Sequence, residues 1–272
     1  MKANSPTIAF IGGGNMASAI IAGLISHGHQ PTSIMVCDPD APKRAELTNK
    51  FGIRGTGEPS NAVEHAAVVV LAIKPQVADS VIRELATLPG VQNKLFISIM
   101  AGVRIEAIEK VLGGNVAVVR AMPNTPAVVQ CGATAICAGP HTSDVQRKIA
   151  QDIVESFGIC VVVDDEAKID AVTAVSGSGP AYFFLLMEEM INSGVAMGLH
   201  ETVARKLTLQ TALGAARMAS ELEIHPATLR ENVTSPNGTT DQAIKSFQED
   251  GLQQIVRKAT GLAQQRSREL GA

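Results

Sequence analysis

The strongest constraint in this sequence is a glycine motif in a fixed local setting. Residues 7–11 (TIAFI) form a short apolar, β-rich run, Gly12-x-Gly14-x-x-Ala17 follows at once, and 17–25 then shows helical apolar spacing. Strand, tight turn and helix in that order open a βαβ unit, and each small residue has its own physical role there. The first Gly permits the turn, the second lets backbone approach a pyrophosphate, and the small third residue lets helix and strand pack closely. The helix N-terminus then turns N–H groups and a partial positive charge towards phosphate oxygens. Glycines alone would indicate only a turn; flanked by strand and helix, they predict a dinucleotide site.

The rest of the chain repeats this rhythm and then abandons it. A second β-type run, 34–37, ends at Asp38; Asp40 is the expected N-cap of the next helix, Pro42 sits in its first turn, and Gly52 suits its end. Further runs at 68–73, 95–99 and 116–121 alternate with helical stretches at 76–87 and 104–112. Their near-continuous Val/Ile character is what strands buried on both faces require, and the alternation predicts a parallel sheet covered on both sides. Two weaker strands, 133–138 and 160–163, flank a helix at 143–157. After Asp164 only helical patterns remain, at 166–175, 180–198, 201–221 and 251–269. The expected fold class is therefore α/β: a Rossmann-type, doubly wound and mostly parallel sheet followed by an all-α C-terminal domain. The expected boundary separates a dinucleotide-binding domain, 1–163, from a helical domain, 164–272, with no Gly/Ser- or Pro-rich linker between them.

Composition narrows the partners. A net charge of −3 and only 3% aromatic residues supply neither the basic excess nor the stacking rings of a nucleic-acid binder. The longest apolar run, Ala66–Ile73, falls far short of the about 20 residues a membrane span needs. The early Gly12-Gly13-Gly14-Asn15 leaves no room for a signal-peptide core. Cys37, Cys131, Cys137 and Cys160 are widely spaced, with no C-x-x-C pair and no His at metal-ligand spacing. Reduced thiols, a cytoplasmic location, no metal, no nucleic acid and no membrane are expected.

Candidate binding residues gather at predicted strand ends. Asp38 stands where a carboxylate accepts hydrogen bonds from a ribose hydroxyl, which favours NADH, while Lys43 and Arg44 just downstream suit a 2′-phosphate. The choice between NADPH and NADH stays open. In an open α/β sheet ligands sit outside the carboxyl ends of strands, so Lys74-Pro75, Met100-Ala101-Gly102 and Met122-Pro123-Asn124-Thr125-Pro126 should line one crevice. The helical half adds Ser176-Gly177-Ser178-Gly179-Pro180-Ala181-Tyr182 and Val233-Thr234-Ser235-Pro236-Asn237-Gly238-Thr239-Thr240, the second leading into a helix from about Asp241. A hydroxyl-rich, glycine-containing loop at a helix N-terminus suits a carboxylate, although simple helix capping uses the same residues.

From Ile8 to about Leu270 the chain resembles the pyrroline-5-carboxylate reductases. The likeness rests on FIGGGNMASAI, AIKPQ, SIMAGV, RAMPNTP, SGSGPAYFF and LRENVTSPNGTTDQAIKSF, in that order. It implies hydride transfer from a reduced nicotinamide, NADPH or NADH, to the C=N carbon of 1-pyrroline-5-carboxylate, yielding proline. It implies cofactor contacts from Ile11, Gly12, Gly13, Gly14, Asn15, Met16, Asp38, Asn61, Ala72, Ile73, Lys74, Pro75, Met100, Ala101, Gly102 and Asn124. It places the substrate at Ser235, Gly238, Thr239 and Thr240, with Thr240 as the catalytic residue hydrogen-bonding the ring nitrogen. It further implies a dimer, or a larger assembly, built by exchanging C-terminal helices. Departures are Asn237 where the family usually has a second glycine, Asn192 where Asp is common, and the acidic Asp38.

Two rivals share the plan. A β-hydroxyacid dehydrogenase places a Lys acid/base early in the long interdomain helix, but Ala181–Asn192 holds no Lys and no His. A non-catalytic dinucleotide sensor needs no carboxylate site of the kind expected at 234–240.

Overall fold

The computed structural model describes residues 5–271. Its first part carries β1 (Ile8–Ile11), α1 (Asn15–Ser26), β2 (Ile34–Cys37), α2 (Ala41–Phe51), β3 (Arg54–Thr56), α3 (Pro59–Val63), β4 (Val68–Leu71) and α4 (Ala78–Ala86). There follow β5 (Leu95–Ser98), α5 (Ile105–Leu112), β6 (Ala117–Met122), β7 (Gly132–Ala138), α6 (Asp144–Glu155) and β8 (Gly158–Val162). The eight strands form one sheet in the order β3-β2-β1-β4-β5-β6-β7-β8. β1 lies between β2 and β4, with Ile8 beside both Ile34 and Val68. The chain therefore reverses its direction of travel across the sheet beside β1, which is where such sheets open a ligand crevice.

Why the strand runs carry no alternation is visible in the packing. Ile8, Phe10, Val68, Val70, Leu95 and Ile97 face one apolar layer, whereas Ala9, Ile11, Val69, Leu71 and Phe96 face the other. Both faces are covered, so both sets must be apolar. The second helix forms as its residues predict: Asp40 accepts from Lys43 N–H at 3.1 Å, and Gly52 closes the helix in the left-handed region.

Two features of the sheet were not anticipated. β3 is a three-residue strand, RGT, too short and too glycine-rich to give a pattern. β7 runs antiparallel to β6, and β8 is again parallel to β7. The segment 123–131 between β6 and β7 holds one short 3₁₀ turn, Thr125–Val129, and a parallel return would need a crossover of about a dozen residues or more.

The remaining elements are α7 (Lys168–Val172), α8 (Gly179–Ala196), α9 (Glu201–Glu221), α10 (Pro226–Asn232), α11 (Thr239–Glu249) and α12 (Leu252–Leu270). The chain divides into two compact units, Met1–Ser178 with Ala263–Ala272, and Gly179–Leu262. Against the boundary expected at 163/164, the segment 164–178 stays with the sheet, and so does the end of α12. The separate helices expected at 166–175 and 180–198 are one continuous helical stretch, Lys168–Ala196, joined through a π-helical turn at Thr173–Gly177. By length and composition alone this stretch could cross a membrane, a property the short apolar runs did not suggest.

Within the second unit α8 packs on α9 where Gly194 lies against Ala204; a Cβ on Gly194 would sit 3.1 Å from the Ala204 Cβ. The aromatic and aliphatic residues Phe183, Phe184, Leu185, Leu186 and Met190 of α8 are exposed, Phe183 by 64%.

Candidate active site

The parallel strands bring most of the expected cofactor residues to one edge. Ile11, Asp38, Ala72 and Met100 follow or end β1, β2, β4 and β5, whose registers place their carboxyl ends side by side. Gly12 and Gly13 are buried, Gly14 is half-buried and Asn15 is exposed. Gly12 has φ +98°, and its N–H donates to Cys37 O at 2.7 Å. A Cβ there would lie 2.9 Å from the carbonyl carbon of Ala72 and closer still to its oxygen. A Cβ on Gly14, by contrast, would meet nothing within 4 Å. Gly14 is also the N-cap of α1 and no side chain caps that helix, so its first-turn N–H groups have no side-chain acceptor from the cap. An uncapped helix N-terminus behind a glycine with an open face fits a pyrophosphate.

Asp38 is more committed than its position at the end of β2 suggests. It is only 6% exposed. Oδ2 accepts from the Gly13 N–H at 2.8 Å and from Lys43 Nζ at 2.9 Å, and Oδ1 accepts from the Asp40 N–H at 3.0 Å. A carboxylate offers about four acceptor positions, so room for one ribose hydroxyl remains, at Oδ1. Burial pushes this carboxyl up, but the hydrogen bonds from Lys43, Gly13 and Asp40 outweigh it and hold the group below its ordinary value. Arg44 Nη1 donates to the carbonyls of Asp38 at 2.6 Å and Pro39 at 3.1 Å. Of the two cations left open by the sequence, Lys43 therefore pairs with the carboxylate and Arg44 with the backbone carbonyls beside it.

Lys74 is exposed and precedes a 3₁₀ turn at Pro75–Val77, Ile73 and Pro75 are half-buried, and Ala72 N–H donates to Ile11 O at 2.8 Å. Asn61 is exposed on α3, beyond the end of β3. Met100 and Gly102 are buried, and Ala101 and Met16 half-buried. Asn124 is only 8% exposed and its amide works inside the protein, donating to Ser176 O at 3.0 Å and accepting from Ala133 N–H at 2.8 Å. It thereby holds the π-helical turn onto the loop after β6. Gly177 belongs to the same contact, since a Cβ there would lie 2.8 Å from the Met122 methyl.

The loop expected to hold the substrate lies in the second unit. Gly238 is the N-cap of α11, no side chain caps the helix, and Asn237 takes φ +63°. Asn tolerates this region better than other side-chain-bearing residues, which explains how the loop keeps its path without the second glycine. The Asn237 N–H donates to Asp241 Oδ2 at 3.0 Å, and Lys245 donates to the same oxygen at 2.8 Å. The first-turn N–H groups of Thr239 and Thr240 are left without a side-chain acceptor; Thr240 is half-buried, and Ser235 and Thr239 are exposed. The helix begins two residues earlier than the expected start near Asp241, so both threonines belong to its first turn.

Sequence reasoning missed a set of charged residues beside this edge. Arg120, in the apolar strand AVVRAM, is 1% exposed and donates from Nη1 to Glu166 Oε1 at 2.8 Å. The same Glu166 oxygen accepts the Ile105 N–H at 3.0 Å and so caps α5. The visible signal was the lone Arg inside a buried strand. Among the described residues no group of His, Cys, Asp and Glu has metal-binding spacing.

Over 268 residues, 98% of this chain and 97% of the other, the sequence is 48% identical to the pyrroline-5-carboxylate reductase of Pseudomonas aeruginosa. This chain belongs to the pyrroline-5-carboxylate reductase family. The resemblance carried by the six motifs is thus borne out. Residues 166–270 match the family model described as pyrroline-5-carboxylate reductase dimerisation, and 7–102 match that of NADP oxidoreductase, coenzyme F420-dependent. The solved pyrroline-5-carboxylate reductase of Coxiella burnetii is 41% identical and superposes with a TM-score of 0.94, covering 99% of this chain and 100% of that one. The Plasmodium falciparum pyrroline carboxylate reductase, solved with NADP bound, is 28% identical with a TM-score of 0.87 over 98% of each chain.

Proposed function

We propose that this chain reduces the C=N bond of 1-pyrroline-5-carboxylate to give proline, with the imino acid held at Ser235–Thr240 and NAD(P)H along the carboxyl edge of the sheet. It is an NAD(P)H-dependent oxidoreductase of proline biosynthesis that acts on a small molecule and self-associates. The observation that carries the residue assignment is the uncapped, glycine-started N-terminus of α11. The N–H groups of Thr239 and Thr240, with the Ser235 hydroxyl, hold the substrate carboxylate against the positive end of the helix, while Gly238 shapes the loop by donating its own N–H to Ser235 O at 2.9 Å. Thr240 hydrogen-bonds the ring nitrogen and fixes the orientation of the imine. A protonated cyclic imine is already a good electrophile, so orientation and proximity supply much of the rate. When bound, the reduced nicotinamide supplies the hydride.

Gly12, Gly13, Gly14, Asn15 and Met16 cradle the pyrophosphate, with Ile11 ending the strand beneath. Ala72, Ile73, Lys74 and Pro75 form the neighbouring wall, and Met100, Ala101 and Gly102 the next. Asn124 acts from behind, through its hold on Ser176, and Asn61 borders the adenosine side near Asp38. Consumption of NAD(P)H absorbance on adding pyrroline-5-carboxylate tests the activity; no fall with either nucleotide sinks it. A dehydrogenase of β-hydroxyacids would instead reduce NAD(P)⁺ with an alcohol, and a sensor would bind nucleotide without turnover.

Asp38 and Lys43 make cofactor choice testable. Replacing Asp38 by Ser removes the charge opposing a 2′-phosphate and frees Lys43 to meet it. The ratio of kcat/KM for NADPH to that for NADH should rise about tenfold in Asp38→Ser, the scale of one charged hydrogen bond. Both absolute values should fall somewhat, because Gly13 loses its acceptor. A ratio that stays put removes Asp38 from cofactor selection.

The exposed apolar residues of α8 support a dimer in which these helices are shared between two copies. Phe184→Glu is expected to shift a dimeric mass in light scattering towards the monomer, and an unchanged mass at all concentrations removes this face from the interface. The protein is assigned to the cytoplasm, where its four free cysteines stay reduced. Cys37 and Cys137 are buried, Cys160 is half-buried and Cys131 is exposed. Burial pushes the Cys37 and Cys160 thiols up to about 11, which makes both poor nucleophiles.

A further inference from the structure

The end of the chain returns to the first unit and meets the turn that follows β5. Gly102 is buried with φ +78°, and a Cβ there would lie 2.7 Å from Leu270 O. A Cβ on Gly271 would in turn lie 2.5 Å from Gly102 O. Backbone therefore touches backbone at this point, a closeness that glycine makes possible on both sides.

A short polar relay fastens the contact. Ser267 of α12 is 4% exposed and donates from Oγ to Asp170 Oδ1 at 2.8 Å. Asp170 of α7 is 1% exposed, and its other oxygen accepts from Arg104 Nη2 at 2.9 Å. Arg104 stands two residues beyond Gly102 and immediately before α5. One helical turn earlier than Asp170, Glu166 holds the Ile105 N–H. The turn Met100–Gly102 thus has two anchors: β5 on one side, and on the other Arg104–Ile105, gripped by Asp170 and Glu166. A buried carboxylate is stable only while its hydrogen bonds are made, so withdrawal of Ser267 would loosen the second anchor.

We infer that Ser267 is a positioning residue for the cofactor-binding edge, acting through Asp170 and Arg104 to hold the Met100–Gly102 turn in its binding conformation. This rests on the placement of NAD(P)H beside that turn proposed above. The last turn of α12 is then part of the nucleotide site without touching the nucleotide.

Full-length Ser267→Ala, with Ser267→Thr as the variant that keeps the hydroxyl, provides the test. NADPH and NADH dissociation constants are measured by nucleotide fluorescence, alongside thermal midpoints and kcat at saturating cofactor. Ser267→Ala should raise the dissociation constant about tenfold, the scale of one hydrogen bond to a charged group, while kcat at saturation stays within about twofold. Ser267→Thr should restore most of the affinity. Arg104→Lys, which keeps the charge but loses the guanidinium reach, should weaken nucleotide binding in the same direction. An unchanged dissociation constant in Ser267→Ala and Arg104→Lys, with or without a lowered thermal midpoint, reduces the relay to a structural staple and overturns the inference. Wild-type protein that binds neither nucleotide overturns the cofactor placement itself, an outcome distinct from a variant that binds as well as wild type.

Discussion

Thr240→Ala is expected to lower kcat by about a hundredfold while leaving the dissociation constant for NADPH within about twofold of wild type. The asymmetry follows from the role proposed for the residue. Thr240 lies in the first turn of α11, within the second unit, and Gly12–Gly14 lie in the first. On the proposed reading, loss of the hydroxyl takes no donor from the Gly12–Gly14 loop but frees the imine to rotate about its held carboxylate. An interaction made to the reacting nitrogen lowers kcat and kcat/KM together, whereas a uniform binding contact raises KM alone. The backbone N–H of residue 240 survives the substitution, so carboxylate binding, and with it KM for substrate, should change much less than kcat. Thr240→Ser retains the hydroxyl and should recover most of the rate. Steady-state kinetics on the two variants decide the matter: wild-type kcat in Thr240→Ala takes the residue out of the mechanism.

Gly12→Ala is expected to weaken NADPH binding by about a hundredfold or more and to lower the thermal midpoint by several degrees. Its φ of +98° is open to glycine and strained for alanine, and the new methyl would run into the carbonyl group of Ala72. Neither partner can step aside. Ala72 is tied by its N–H to Ile11 O, and Gly12 is tied by its own N–H to Cys37 O. Relief requires moving the loop itself, which leads into the α1 N–H groups proposed to meet the phosphates. Gly14→Ala makes the informative contrast, because Gly14 has φ −74° and open space where its Cβ would stand. That variant should fold with an unchanged midpoint and yet bind nucleotide less well, since only the approach of the ligand is obstructed. Equal thermal midpoints for Gly12→Ala and wild type would show that the loop relaxes freely, and would remove strain as the reason for the first glycine.

The sequence was most informative wherever a feature is set by near neighbours. The strand–glycine–helix opening, the Asp40 cap and the Gly52 stop each depend on residues within one or two turns of one another. The unbroken Val/Ile runs announced a sheet covered on both faces for an equally direct reason: such strands have no polar side to display. Even Asn237 could be accepted at a glycine position from its known tolerance of positive φ.

Other features depend on partners far along the chain. β3 is too short to announce itself, and the antiparallel turn into β7 follows from how few residues separate it from β6. Asp38 looked free for a ribose, but the fold gives it the Gly13 N–H and Lys43 first. Asn124 was expected at the cofactor, and only the fold shows that its amide also binds Ser176 O and the Ala133 N–H. The contacts of Arg104, Asp170 and Ser267 join three regions whose sequences give no hint of one another.

By itself, then, the sequence determined the class of fold, the family, the glycine loop after β1 and the hydroxyl-rich loop before α11. These are local strings of residues whose backbone preferences and donor groups act in place. Only the tertiary structure decided which polar groups remain available to a ligand and which are consumed internally, and where the chain divides into compact units. A buried donor or acceptor must find a partner, and that partner is chosen by packing across the whole molecule rather than by position in the chain.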